Sequence, residues 1–164
     1  MERLILIRHA HRDTSEREKD NGLDKLGKRQ AKALAGLFRT LEGKKSEPLL
    51  VSSPKKRCRE TLEPIAELTD SEVEAHPLLD EQHGFEDMRT FELRIRDFFK
   101  WLDGQKKNEI VVACSHGDWL PIALEMSTGA RAFTEKASYA ELRRLGSRWV
   151  LYQLVQDPTE FDGS

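Results

Sequence analysis

The sequence has little of what marks the specialised classes of protein. It has no surplus of positive charge: 27 Lys and Arg stand against 29 Asp and Glu, for a net charge of -2. That excludes the general basic field by which a chain attracts nucleic acid, so any anion site must be a local cluster of cations. Cysteine is scarce. Cys58 and Cys114 are far apart and fit no metal-binding spacing, and they read as two reduced thiols of a cytosolic protein. No apolar stretch approaches the length needed to cross a bilayer. The short apolar run in MERLILIRHAHR lacks the small-residue cleavage site of a signal peptide and reads as a strand. The expected compartment is the cytoplasm, with neither membrane nor nucleic acid as a partner. The sequence also lacks internal repeats, low-complexity tracts and linkers, and nothing in it predicts an oligomeric state.

What is present is an ordinary globular composition, 34% charged and 38% hydrophobic over 164 residues. This suits one compact domain, expected over residues 1–156, with a polar tail at 157–164 that should fray. Leu4 to Ile7 is a continuous apolar run of strand length, ending abruptly in Arg8-His9-Ala10-His11-Arg12. Ala31, Leu34, Ala35, Phe38 and Leu41 fall at helical spacing, with Asp24 as a candidate cap and Gly43 as a stop. Leu49 to Val51 predicts a second strand. Ser53 and Pro54 look like the cap and first residue of a following helix, and Pro64 should kink or break it. A brief strand at Val73, a helix through Phe91, Ile95, Phe98 and Leu102, a buried strand at EIVVAC and a helix from Trp119 follow. A hairpin turning at Gly146-Ser147 completes the chain. Strands alternating with helices predict an α/β layer architecture with a mostly parallel sheet.

In such sheets ligands bind at the carboxyl ends of the strands. Three polar clusters fall there: Arg8-His9, Ser52 to Arg57, and Ser115-His116-Gly117. Two arginines and two histidines at one rim make an anion pocket suited to a phosphoryl group, and main-chain N–H groups at the helix starts add to its field. Neighbouring cations disfavour the imidazolium, so a histidine among them stays neutral and keeps the lone pair that attacks phosphorus. A metal reading of His9 and His11 is disfavoured, because the flanking arginines repel a cation and no HExxH-type helix or Cys pair accompanies them. His11 is expected at the pocket rim.

Four segments together resemble the histidine phosphatase superfamily. Leu6-Ile7-Arg8-His9-Ala10 is similar to its RHG signature, and Leu23-Asp24-Lys25-Leu26-Gly27 with Gln30-Ala31 to its approach to the first helix. Ser52 to Thr61 resembles its second-arginine motif, and Ser115-His116-Gly117 its second-histidine motif. The short chain, including Phe133 to Ser138, resembles the compact SixA-like branch of phosphohistidine phosphatases. The resemblance implies a three-layer α/β/α sandwich with a mostly parallel central sheet, that His9 is the nucleophile, that Arg8, Arg57 and His116 bind the phosphoryl group, and that no metal or other cofactor is used. Ala10 stands where the motif carries Gly, a restriction if that position needs a positive φ. In the context Leu79-Asp80-Glu81-Gln82 the resemblance points to Glu81 as proton donor, with Asp80 and His83 behind it.

The resemblance to the compact branch implies protein phosphohistidine as the favoured substrate, and a short chain with little room for a lid suits a bulky protein substrate. Small phosphate esters are the first alternative. A non-catalytic phosphate- or phosphoprotein-binding module is the second, and the complete set of His9, Arg8, Arg57 and His116 speaks against it.

Overall fold

A strand buried on both sides feeds two cores, and β1 (Arg3–Arg8) does so. Leu4 and Leu6 enter one core while Ile5 and Ile7 enter the other, and none of the four is exposed. This is the period-2 alternation of a central strand. In the computed structural model, which describes residues 2–43 and 46–161, β1 lies inside a six-stranded sheet. The other strands are β2 (Leu49–Ser52), β3 (Val73–Ala75), β4 (Ile110–Ser115), β5 (Tyr139–Leu145) and β6 (Arg148–Val155). Their order is β3-β2-β4-β1-β5-β6. The first four strands are parallel neighbours, and the hairpin β5–β6 joins antiparallel to β1.

Helices α1 (Lys25–Glu42) and α2 (Lys56–Thr69) cover one face. Leu34, Phe38, Leu62 and Ile65 pack there on Ile5, Ile7, Leu50 and Val112. Helices α3 (Met88–Asp103) and α4 (Leu120–Thr128) cover the other, with Phe91, Phe98, Trp119 and Leu124 on Leu4, Leu6, Val111 and Ala113. Each such side chain contributes about 1.5–3 kcal/mol by leaving water. The three layers and the mixed, largely parallel sheet match the expected sandwich. Both cysteines are free and buried in the core beside α1 and α2. Among the described residues no helix is long and apolar enough to cross a membrane.

Caps confirm part of the local reading. Asp24 accepts the amide of Gly27 at the start of α1, and Gly43 at φ 76° ends it. Elsewhere the structure departs from the expectations. Helix α2 starts at Lys56 behind Lys55, and the Ser53 hydroxyl accepts the Lys55 amide at 3.3 Å while also meeting His116 and Asp80. The helix then runs unbroken through Pro64: the buried stripe of Cys58, Leu62 and Ile65 continues across the proline and holds the helix against its layer. The expected fraying tail instead forms a 3-10 turn over Pro158–Phe161, with Pro158 buried and the turn packed on α1. Residues 162–164 of that tail lie outside the described residues.

Candidate active site

Each of the four parallel strands delivers one piece of the site. Arg8 ends β1, and His9 follows it. Ser53 follows β2, and Arg57 lies in the first turn of α2. A 3-10 turn (Pro77–Leu79) leads from β3 to Asp80 and Glu81, and β4 ends at Ser115, before His116. The register pairs Arg8 with Ser115, and Ser52 with both Cys114 and Ala75, so the strand ends are level and their loops meet.

His9 is fixed from both sides. Its amide donates to the Ser115 carbonyl at 3.0 Å. Its Nδ1 lies 2.8 Å from the Ala10 carbonyl oxygen. A carbonyl only accepts, so Nδ1 carries the proton and Nε2 keeps the lone pair. Burial holds the ring far below its ordinary pKa, at about 3, and the charges of Arg57, Arg8 and Lys136 push the same way against the Ala10 carbonyl. Sequence reasoning attributed the neutral state to the cations; the direction holds, but burial is the larger cause.

His116 stands edge-on to His9, with ring centroids 5.3 Å apart. Its Nδ1 accepts from Arg57 Nη2 at 3.3 Å, and its Nε2 donates to Ser53 Oγ at 2.8 Å. Burial again dominates, with help from His9, Arg57, Lys55 and Arg8, and holds its pKa at about 2. Arg57 is 4% exposed and donates through Nη2 to Glu81 Oε2 at 2.9 Å. Arg8 donates to the Thr134 carbonyl. Its guanidinium runs so close to Gly117 that a Cβ there would stand 2.7 Å from Arg8 Cζ, which explains the glycine. The Nε groups of Arg8 and Arg57 are buried without a hydrogen-bond partner among the described residues. Orphaned guanidinium donors in a buried site leave capacity for an anion.

Of the three candidate proton donors, Glu81 is the one against the cationic pocket, half-exposed, with Oε2 also 3.8 Å from His116 Nδ1. Asp80 is buried and turned inward: its Oδ1 accepts from Ser53 Oγ at 3.3 Å and from the Glu81 amide at 2.9 Å. His83 stacks on Phe85 and comes no nearer than 3.9 Å to Asp80 Oδ2. His11 serves the start of α1, where its ring contacts the Asp24 carboxylate and its amide donates to Gln30. A Cβ on Gly27 would fall 2.0 Å from the His11 carbonyl oxygen, so only glycine permits this approach.

Ala10 needs no positive φ. Among the described non-glycine residues only Asp70 and Ala137 have one, so the methyl group of Ala10 sits buried in the core without backbone strain. The strained residue is Ala137 at φ 62°, whose amide donates to the carbonyls of both Arg8 and His9, at 3.1 and 3.2 Å.

Sequence reasoning missed several supporting residues. Thr61 Oγ1 accepts the Ala10 amide at 3.0 Å and donates to the Arg57 carbonyl at 2.6 Å, tying the His9 loop to α2. Arg94 on α3 donates to the carbonyls of Leu78, Asp80 and Glu81, and to both carboxylate oxygens of Glu86. These bonds fix the loop that presents Glu81. The Arg94 bonds are the main reason that the Glu86 carboxyl is held at a pKa of about 2. They join segments distant in sequence, so no local pattern announces them; Thr61 was visible only as part of a motif.

The sequence model of the histidine phosphatase superfamily (branch 1) matches residues 4–85. A search of curated proteins finds no match. Among solved structures, the chain is similar to a mycobacterial glucosyl-3-phosphoglycerate phosphatase, at 20% identity over 96% of this chain and 99% of that one, with a TM-score of 0.78. A phosphoserine phosphatase variant from Entamoeba histolytica follows at 17% identity, 93% and 95% coverage and TM-score 0.74. A protein assigned as phosphohistidine phosphatase SixA from Agrobacterium tumefaciens has 19% identity, 94% and 97% coverage and TM-score 0.72. At these identities the likeness is one of fold.

Proposed function

Because the chain belongs to the histidine phosphatase superfamily, branch 1, we propose that it is a metal-independent phosphatase that passes a phosphoryl group from its substrate to His9 and then to water. The observation that carries this reading is His9 itself. It is a neutral imidazole with Nε2 free, held by two backbone bonds and standing beside two arginines with unpartnered Nε groups.

In this reading Arg8, Arg57 and His116 grip the phosphoryl oxygens. His9 Nε2 attacks phosphorus as the bond to the leaving oxygen breaks, and the guanidinium groups offset the charge on the equatorial oxygens. The resting ion pair of Glu81 with Arg57 loosens when a phosphoryl dianion competes for the guanidinium. Glu81, half-exposed and released from Arg57, takes up a proton from solvent as the substrate settles and passes it to the leaving oxygen. In the second step it takes the proton of the attacking water.

The position of Glu81, 2.9 Å from Arg57, favours phosphate monoesters, whose alkoxide leaving groups require an acid. Protein phosphohistidine is the second reading, supported by the half-exposed Glu81 at an open rim and by the ease with which imidazole leaves. Hydrolysis of O-phosphoserine and of a phosphohistidine peptide, each with and without chelator, separates the two. Ester turnover that survives chelator, disappears in His9→Ala and falls about 10²–10⁴-fold in Glu81→Gln supports the first. Turnover of the peptide alone, indifferent to Glu81→Gln, supports the second. Phosphate binding without turnover of either substrate would leave only a binding module.

A further inference from the structure

Ser53 and Asp80 extend from His116 as a buried chain, and the reaction steps above use only its His116 end. Ser53 has no exposed surface, His116 is 2% exposed and Asp80 8%. His116 Nε2 donates to Ser53 Oγ at 2.8 Å, and Ser53 Oγ donates onward to Asp80 Oδ1 at 3.3 Å. The same Asp80 oxygen accepts the Glu81 amide, and Arg94 grips the Asp80 carbonyl at 2.8 Å. A carboxylate is thus fixed at the inner end of the chain while His116 Nδ1 faces Arg57 and Glu81 at the outer end.

The resting ring presents a difficulty for phosphate. Nδ1 accepts from Arg57, so it carries a lone pair, and a lone pair repels a phosphoryl oxygen. His116 holds a phosphoryl group only if Nδ1 gains a proton. The charged groups around the ring are Arg8, Arg57, Lys55 and His9, which oppose the imidazolium, and Asp80 and Glu81, which favour it, and the buried Cys58 thiol also lies 3.5 Å from Nε2. An arriving phosphoryl group takes up the arginines and adds negative charge, leaving Asp80 as the fixed counter-charge on the far side of the ring.

We propose that Asp80, acting through Ser53, makes His116 a substrate-dependent cation. The chain pins the Nε2 proton so that Nδ1 faces the pocket, and the carboxylate supports the imidazolium once phosphate is bound. A phosphate monoanion gives its proton to Nδ1: one O–H bond breaks, one N–H bond forms, and a neutral ring with a monoanion becomes an imidazolium with a dianion. Asp80 and Ser53 are positioning residues, since they act on the phosphoryl group only through His116. The inference rests on the reading of this pocket as a phosphoryl site.

The test follows the imidazole nitrogens of His116 by NMR, with and without saturating inorganic phosphate, from pH 5 to pH 9. In the wild type the ring should be neutral with its proton on Nε2 when free, and doubly protonated when phosphate is bound. Asp80→Asn keeps the shape of the residue and can still accept from Ser53, but lacks the charge. The deprotonation of the bound-state ring should then move down by about one pH unit, weakening phosphate inhibition about tenfold above that pH and little below it. Ser53→Ala should do the same, and the double variant should be no worse than the worse single one. A wild-type ring that stays neutral with phosphate bound overturns the proposal without any variant. So does an Asp80→Asn profile that superimposes on the wild type, or one weakened equally at every pH. A wild type that binds no phosphate overturns the reading of the site and this proposal with it; binding with an unchanged Asp80→Asn profile overturns this proposal alone.

Discussion

Strand β1 carries an arginine at each end, and the chain treats them in opposite ways. Arg3, at the amino end, donates to the buried carboxylates of Glu42 and Glu141. Glu141 also accepts from Arg143 and Gln153. Two guanidinium groups meet two carboxylates there, and the charge closes within the protein. Arg8, at the carboxyl end, finds a main-chain carbonyl, and its neighbour Arg57 finds the single half-exposed carboxylate of Glu81. Buried charge is tolerated when it is paired. In the first cluster every guanidinium meets a carboxylate, and one carboxylate oxygen, Glu42 Oε2, is left without a partner among the described residues. In the second, Arg8 meets no carboxylate and the Nε groups of Arg8 and Arg57 lack partners among the described residues, so the spare capacity there is for an anion. The same residue type is paired with carboxylates at one end of a strand and left with open donors at the other, where we propose that it binds the phosphoryl group.

Substitutions should separate the two ends. His9→Ala, at the carboxyl end, should lower phosphatase turnover by about 10⁴-fold or more with little change in thermal stability. Arg57→Ala should lower kcat/KM by about 10²–10³-fold, since it removes a donor to the transferring group. Glu141→Gln, at the amino end, should do the reverse: it breaks a buried ion cluster at a cost of about 3 kcal/mol in denaturant unfolding, while kcat/KM below the transition stays unchanged. A large loss of activity in Glu141→Gln, measured on folded protein, would erase the distinction.

The histidines sharpen it through pH. His9 and His116 have folded-state pKa values of about 3 and about 2, against about 6.5 in the unfolded chain. Both are therefore neutral when folded and protonated when unfolded below pH 6.5, so stability should fall as the pH drops from 6.5 toward 3. Glu86 joins later. Its depressed carboxyl contributes stability that is present above its ordinary pKa of 4.5 and lost as the pH falls through about 2. Denaturant titrations of His9→Ala should show a shallower decline between pH 6.5 and 4.5, with the later decline retained. The smallest effect belongs to Ala137→Gly. Releasing a left-handed alanine gains about 1–2 kcal/mol, while glycine's freedom in the unfolded chain costs about 0.5–1 kcal/mol and the lost buried methyl about 0.8 kcal/mol, for a net change of less than about 1 kcal/mol in either direction in denaturant unfolding.

The candidate site was legible in the sequence where its residues announce themselves locally. Arg8-His9 and Ser115-His116-Gly117 follow apolar runs of strand length, and Arg57 follows a short strand and a Ser-Pro pair, so the rim could be assembled from strand ends alone. Glu81 had no such mark and came only through the resemblance of its surroundings. Ser53 was read as a helix cap; its hydroxyl accepts the Lys55 amide just before the helix, and nothing in Ser-Pro announces that it also meets a histidine from another strand. Asp80, Arg94 and Glu86 act through bonds between β3, α3 and the loop between them, which no spacing encodes. Pro64 looked like a break because local propensity ignores the buried face that holds α2 together.

The most direct test of the account is to mix enzyme with a phosphorylated substrate, quench it within milliseconds under alkaline conditions that preserve phosphoramidates, and map the product by mass spectrometry. The expected result is one phosphoryl group on the His9 peptide, acid-labile, attached through Nε2 and absent from His9→Ala. Turnover with no covalent phosphoenzyme, or with the phosphoryl group on another residue, would contradict the assignment of His9 as the nucleophile.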